Sequence, residues 1–504
     1  ELTAEIADLI ALTGIRTAID GDLTSLAALS ELAETELPET DSWNIRVRAD
    51  SDNPRGAPVN ISANLSGTGI TAEVDAVVED LRTPDTFETE LAFKAETIAT
   101  VGKLLGRDLP EGKPLTLTAH ASGQPGGYRV DTFLIESGES SMTADLEYLI
   151  PAAKDVERNT LKGLVAIRGF DSTPWLSVQQ DAEPVEEEAV ASVPAGTKPV
   201  MAESPAQEAT EKKTGKKIFS DEPFAFDLLR EYDVDLKFET EDILVPSGVE
   251  LDSEIGIRLD NGLLEVSPFV IAESSGGSGY GHVTLDARSI EARLDAEIDF
   301  DNFTSPRFGG FFDLNIDLEG TGKSPASLMG NLNGYLTASI DDMELEKSFL
   351  TTFGSGLVSR LNPLGKDTTM LECAVVRFDI EDGVADFEKK LAAQTTEVTW
   401  IGGGKIDFKT EEIEGGISSK PREALSSLTN VVDVAGFVLV DGTLAEPTFG
   451  IDVANVVTDA AKKYAQYTAF FMTGGLSWLA EKAVETAQAN VDQCERILGD
   501  LEDL

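Results

Sequence analysis

The stretch "VNISANLSGTGITAEVDAVV", Val59 to Val78, decides the fold. Apolar or small residues take every second place, at Val59, Ile61, Ala63 and Leu65. After the glycines the phase moves by one, to Ile70, Ala72, Val74 and Ala76. A period of two is that of a strand with one apolar and one polar face, and the Gly-bearing break is a turn or bulge between two such strands. The alternation returns in "DVDLKFET", "EIGIRLDNGLLEVSPF", "HVTLDARSIEARLDAEIDF", "FDLNIDLEGTG", "LNGYLTASIDD", "VVRFDIEDGVADFE" and "KIDFKTEEIEGGI". Asn261-Gly262, Asp382-Gly383 and Asp441-Gly442 supply short hairpin turns. Strands this close in sequence leave no room for crossover helices, so the expected fold is mainly β: a long antiparallel meander with a few flanking helices, curled either into a closed sandwich or into an open groove.

The chain has 504 residues, of which 41% are hydrophobic and 26% charged, enough for a sizeable core. Its net charge is -51, from 91 acidic against 40 basic residues. That field repels nucleic acid, so no nucleic-acid partner is expected. The only cysteines are Cys373 and Cys494, and the only histidines His120 and His282, too little material for a zinc site or a His-based triad. Spacing alone leaves the cysteines open between one disulfide and two unrelated buried thiols. No run of eighteen apolar residues exists. The chain starts at Glu1 without Met, which leaves room for an upstream signal or anchor.

Helices are expected in "ELTAEIADLIALTG" at the start, ending at Gly14, and in "TIATVGKLLG". "ADLEYLIPAAK" reads as a short helix or loop, and "KSFLTTFGSGLVSRLNPLG" as a broken helix. The tail from Ala460 to Leu501 reads as two helices separated by Gly474-Gly475. Its Tyr467, Phe470, Phe471, Leu476, Trp478 and Leu479 are expected to pack on the sheet, the alternatives being to plug the groove end, touch a membrane or join a partner. Residues 181–217, rich in Pro, Glu, Ala and Lys without periodicity, read as a solvated tether. The expected organisation is a repeated-strand body over 1–180 with an N-terminal helix, a linker over 181–217, a β-groove module over 218–454 and C-terminal helices over 455–504.

Catalytic motifs do not survive inspection. Gly402-Gly403-Gly404-Lys405 looks like a phosphate loop, but Lys405 is followed by Ile406, and Asp407, Phe408 and Lys409 continue a strand rather than a helix. The glycines read as a hairpin or bulge needing positive φ, with Lys405 on the solvent side. Asp379, Asp382 and Asp386 lack calcium-loop spacing. Both histidines read as ordinary strand residues. No catalytic residue, metal site or cofactor is assigned. A sheet with one apolar face must cover it with a second sheet, with helices or with a ligand, and an open trough suits acyl chains, whose contact is non-directional.

The second half resembles the C-terminal module of the AsmA family, over roughly Phe219 to Val453. The ordered features are the Cys373 strand, the Asp382-Gly383-Val384 turn, Thr395-Thr396, the hairpin from Gly402 to Asp407, Lys420-Pro421, and Gly442-Thr443-Leu444 with Pro447. Cys494 resembles the family's C-terminal cysteine, which implies pairing with Cys373. The resemblance implies an envelope protein of a Gram-negative bacterium, periplasmic and held at the inner membrane by an upstream anchor. It implies further a β-groove that binds and transfers phospholipid or other acyl-chain lipids toward the outer membrane, alongside envelope protein partners. This chain is short for spanning an envelope alone. The residues expected to face acyl chains are Leu236, Phe238, Ile257, Leu259, Leu294, Ile298, Leu314, Ile316, Leu336, Phe378, Ile380, Ile406 and Phe408. The alternative is a non-catalytic scaffold for outer-membrane assembly, in which the same residues form a closed core.

Overall fold

The computed structural model describes residues 2–8, 13–29, 40–51, 58–81, 83–151, 158–177, 217–246, 248–304, 310–346, 368–396, 398–421, 437–450, 494 and 497–498. Strands make up 66% of the structure and helices 8%. The strands of the first half are β1 (Leu2–Asp8), β2 (Thr13–Leu23), β3 (Trp43–Asp50), β4 (Val59–Gly67), β5 (Ile70–Val78), β6 (Phe87–Ala95), β7 (Leu115–Gln124), β8 (Gly127–Ser137), β9 (Ser140–Leu149) and β10 (Asn159–Arg168). Long strands follow: β11 (Tyr232–Leu244), β12 (Glu250–Asp260), β13 (Leu263–Glu273), β14 (Ser278–Asp286), β15 (Ala292–Thr304), β16 (Phe311–Gly322), β17 (Asn333–Glu346) and β18 (Thr368–Glu381). The last are β19 (Val384–Asp386), β20 (Leu391–Thr395), β21 (Val398–Asp407), β22 (Glu412–Pro421), β23 (Phe437–Gly442) and β24 (Pro447–Gly450).

All belong to one sheet. Val59–Val78 folds as its alternation requires: Ile61 pairs with Ala76, Ala63 with Val74 and Leu65 with Ala72. Thr68 and Gly69 take φ 49° and 75°, and Asn261-Gly262 and Asp382-Gly383 repeat this left-handed pair, the turn that matches strand twist. Among the described strands every pairing is antiparallel except β10 with β11, which run parallel from Asn159↔Tyr232 to Arg168↔Glu241. A parallel pair needs a crossover, and residues 169–231 supply it. The sheet is therefore mixed at this one joint and continuous through it. Register shifts between Thr240 and Ile243, Ile255 and Ile257, Val266 and Phe269, and Phe300 and Phe303 mark bulges on successive pairs. Bulges bend the strand that carries them and raise its local twist.

Several expectations need correction. The expected N-terminal helix is a hairpin: Leu2 pairs with Ile19, Ala4 with Thr17 and Ile6 with Ile15. A period of two over Leu2, Ala4 and Ile6 competes with the helical spacing, and a neighbouring strand decides in its favour. "ADLEYLI" lies in β9 and the strand-following loop, for the same reason. Asp441-Gly442 ends β23 rather than turning, and the turn is Thr443–Glu446. "TIATVGKLLG" does form α1 (Ile98–Leu105), N-capped by Thr97 Oγ1 accepting from the Thr100 N–H and closed by Gly106 at φ 65°. The tether over 181–217 apart from Lys217, the broken helix over 347–367, and the tail aromatics lie outside the described residues. Within the tail, Cys494, Ile497 and Leu498 are helical.

In a meander, turns alternate between two rims at the strand ends. Further short helices are α2 (Thr173–Ser177), α3 (Asp227–Glu231) and α4 (Pro325–Met329), with a 3-10 turn over Leu26–Leu29. The chain re-enters at Lys217 and follows one rim as a strap. Ile218 and Phe219 N–H groups donate to the buried Glu411 carboxylate at 2.6 and 3.0 Å. Ala326 N–H donates to the Ser220 carbonyl and Phe224 N–H to that of Lys323, both at 3.0 Å. The Arg230 guanidinium donates to the carbonyls of Ala287 and Ser289. Only then does β11 begin.

Candidate functional site

Residues directly opposite in register share a face of the sheet. One row runs unbroken: Thr17, Ala49, Ile61, Ala76, Thr89, Ala121, Val130, Leu146 and Gly163 across the first half. The parallel joint carries it on, through Leu236, Ile257, Val266, Val283, Ala296 and Leu318. It ends through Gly334, Ile380, Ala385, Ile406 and Ile413. Two threonines are its only polar side chains.

The thirteen residues singled out from sequence fall on this face. Leu236, Ile257, Ile380 and Ile406 belong to the central row. Ile298, Ile316, Leu336 and Phe378 form a second row. Leu259 continues through Leu264 and Leu285 to Leu294. Phe238 pairs with Ile255, and Leu314 with Phe300. Phe408 lies just past β21, its ring edge-on to Phe219 at 6.2 Å. Leu259 and Ile380 are buried, at 6% and 8% exposure, whereas the other eleven are half-buried. Among the residues joined to the central row by register from β3 to β21, the charged ones include Glu344, opposite Met370, and Glu273, opposite Leu251. Glu273 sits at a rim, buried, accepting from Thr304 N–H at 2.9 Å and Ser275 Oγ–H at 2.8 Å.

Sequence reasoning missed how glycines and aromatics share this face. Gly123 of β7 lies between Phe87 and Tyr128, whose rings meet at 6.2 Å. Gly279 and Gly281 of β14 let Phe269 and Phe300, two strands apart, meet edge-on at 6.1 Å. A Cβ on Gly279 would stand 2.6 Å from the Phe300 ring. Rings lying over glycines smooth the face and keep strands paired where no side chain contributes. The signal was available as Gly on alternating positions next to Phe, but only register shows which Phe.

The triple glycine is corrected on the same ground. Gly402, Gly403 and Gly404 are extended within β21, pairing with Ile417, Gly416 and Gly415, and none has positive φ. β21 changes partner here, from β20 to β19, and residues 387–390 bulge across the gap. A Cβ on Gly403 would lie 2.4 Å from Lys389 N, and one on Gly404 2.2 Å from the Glu414 carbonyl. Close backbone approach, not a turn, requires glycine. Lys405 is exposed and pairs with Asp386 at 3.0 Å.

Helices cover the apolar face at two places. α1 lays Val101 and Leu104 against Trp43, Ile70, Ala95 and Leu115. Met329 and Leu332, at the end of α4 and beyond it, pack on Ile380, Ala385 and Ile406. The other face of the sheet is charged except near β18 and β20, where Cys373, Val375 and Ala392 receive Cys494, Ile497 and Leu498. Cys373 and Cys494 are joined by a disulfide. His120, on the charged face, touches Asp131 at 2.6 Å and Glu88 at 3.2 Å, and the Asp131 bond holds its pKa above the ordinary imidazole value. Among the described residues no group of three His, Cys, Asp or Glu is placed to hold a metal, and no helix is long and apolar enough to cross a membrane. What this arrangement offers chemically is apolar area, about 25 cal/mol for each Å² removed from water.

No protein-family model matches the chain. It is 22% identical to AsmA family protein YhjG of Escherichia coli (strain K12) over 469 residues, which cover 88% of this chain and 64% of that protein. The chain thus spans a little under two thirds of its relative's length. With the ordered motifs from Cys373 to Pro447 and the single meandering sheet, that similarity supports membership of the AsmA family.

Proposed function

We propose that this chain is a lipid-binding groove of the Gram-negative envelope, and that it transfers phospholipid or related acyl lipids between inner and outer membrane without catalysis. Residence in the periplasm and attachment to the inner membrane through an upstream segment belong to the same reading. The observation that carries it is the register row from Thr17 to Ile413, apolar, free of charge and half-exposed over most of its length. Half-exposed apolar surface of that extent is what an interaction site for apolar matter presents. Acyl chains lie along the rows, and headgroups stay at the mouth in water.

Native mass spectrometry of gently purified protein is expected to show retained lipid. A chain that never retains acyl lipid sinks the proposal. Ile316→Glu places a charge mid-row, between Ile298 and Leu336. It is expected to abolish lipid transfer between vesicles with little loss of stability; a large loss of stability with lipid binding intact favours the closed-core scaffold.

A further inference from the structure

Resting on the groove reading, we propose that the cargo is an acyl lipid whose headgroup carries no net negative charge, a zwitterionic phospholipid rather than an anionic one. The wall offers a headgroup nothing: from β3 to β21 the face contains no lysine or arginine joined to the central row by register. A headgroup must therefore sit at the mouth, between the two rims. The rims are lined with exposed carboxylates, Glu79, Asp85 and Glu291 on one side and Glu96, Glu139 and Asp242 on the other.

Several cations at the strand ends are already committed, whereas Lys103, Arg107, Lys113 and Lys323 are exposed beside the rim carboxylates. Arg158 pairs with Asp233 at 2.8 Å and reaches Asp260. Arg168 pairs with Glu241 at 2.9 Å. Arg288 grips Asp286 with two nitrogens, at 2.6 and 2.9 Å, and holds that carboxyl down to about 2. Arg230 donates to backbone carbonyls. A phosphate bearing net charge meets an excess of carboxylates over cations, in a chain with 91 acidic against 40 basic residues. A zwitterion adds an ammonium that the same carboxylates attract. Like-charge juxtaposition selects against the wrong ligand more than it strengthens the right one.

The test incubates the purified chain with vesicles in which phosphatidylethanolamine and phosphatidylglycerol, with identical acyl chains, are mixed in equal amounts. Both lipids share every collision, so overall repulsion between protein and vesicle cancels. Retained lipid is then quantified by mass spectrometry. At low salt the expected enrichment of phosphatidylethanolamine is about fivefold, falling toward parity at about 1 M salt, where charges are screened beyond about 3 Å. The variant Glu79→Lys, Asp85→Lys, Glu139→Lys, Asp242→Lys is expected to halve the enrichment at least while retaining the same total lipid. Equal retention, or enrichment of phosphatidylglycerol, overturns the headgroup inference and leaves the groove standing. Failure to retain either lipid overturns both.

Discussion

The sheet from β8 to β15 and the sheet from β17 to β21 are built by the same alternation and meet different fates. In the first, apolar residues sit on one face and the other is charged: His282 lies near Asp295 and Glu297, and Lys237 bridges Glu239 and Glu254. In the second, β18 is apolar on both faces. Ala374, Val376 and Phe378 continue the open face, while Leu371, Cys373 and Val375 between them are buried. One side of this region is packed by Met329 and Leu332 near α4, the other by Cys494 and Ile497. The difference teaches that strand periodicity alone does not say whether apolar surface becomes core or site. Whether a segment arrives to cover it decides.

The disulfide is the sharpest place to break this contrast. It closes a loop across 121 residues, so Cys373→Ala is expected to cost about 5 kcal/mol in chemical denaturation, on the chain-entropy account. Hydrogen exchange should rise in β18 and β20 and stay unchanged in β13–β15. Exchange rising equally in both regions would show that they are one cooperative core. Trp400, 5% exposed and packed with Val398, Ala393 and Ile417, tests the same region by truncation. Trp400→Ala is expected to cost about 3 kcal/mol, whereas Ile298→Ala in the open region costs about 1 kcal/mol, because a half-exposed site loses little burial and leaves no sealed cavity. Equal costs would remove the distinction between core and site.

Gly404→Ala sharpens the comparison from the backbone side. Its Cβ would meet the Glu414 carbonyl at 2.2 Å, which no rotamer relieves, so about 2 kcal/mol of stability is expected to be lost. Circular dichroism in urea measures it. Gly21, where a Cβ meets nothing within 4 Å, is the control.

Much of the fold was legible in the residues, and the failures share a cause. Val59–Val78 announces its own hairpin because both strands and the turn are local, and the same holds at Asn261-Gly262 and Asp382-Gly383. The central row's members could be picked strand by strand, since alternation tells which residues share a face of one strand. What no local pattern states is who the neighbour is. Leu2–Asp8 carries helical and strand spacing together, and pairing with Thr13–Leu23 decides. The parallel joint of β10 and β11 depends on a partner beyond residues 178–216. Gly402–Gly404 were noticed, but as a turn, because the bulge at 387–390 that crowds them comes from a strand exchange invisible in a linear reading. The rim carboxylates were likewise lost among 91 acidic residues until the turns gave them an address.

The smallest expected effect lies on the charged face, where nothing resembles a core. His120 stands in the row Asp75, Glu90, His120, Thr132, and its ring nitrogens reach Asp131 and Glu88. The hydrogen bond to Asp131, aided by that to Glu88, raises its pKa above 6.5. A raised folded-state pKa means that folding favours the imidazolium. The stabilisation is complete below the unfolded value and is lost as pH climbs through the folded one. Wild type should therefore exceed His120→Gln in thermal stability at about pH 6, and the gap should shrink by about pH 8. Contacts this exposed are screened, so the gap should also narrow as salt rises. A gap that widens with pH would mean that the ring is held neutral, and that the charged face contributes by packing as the two-sided region does.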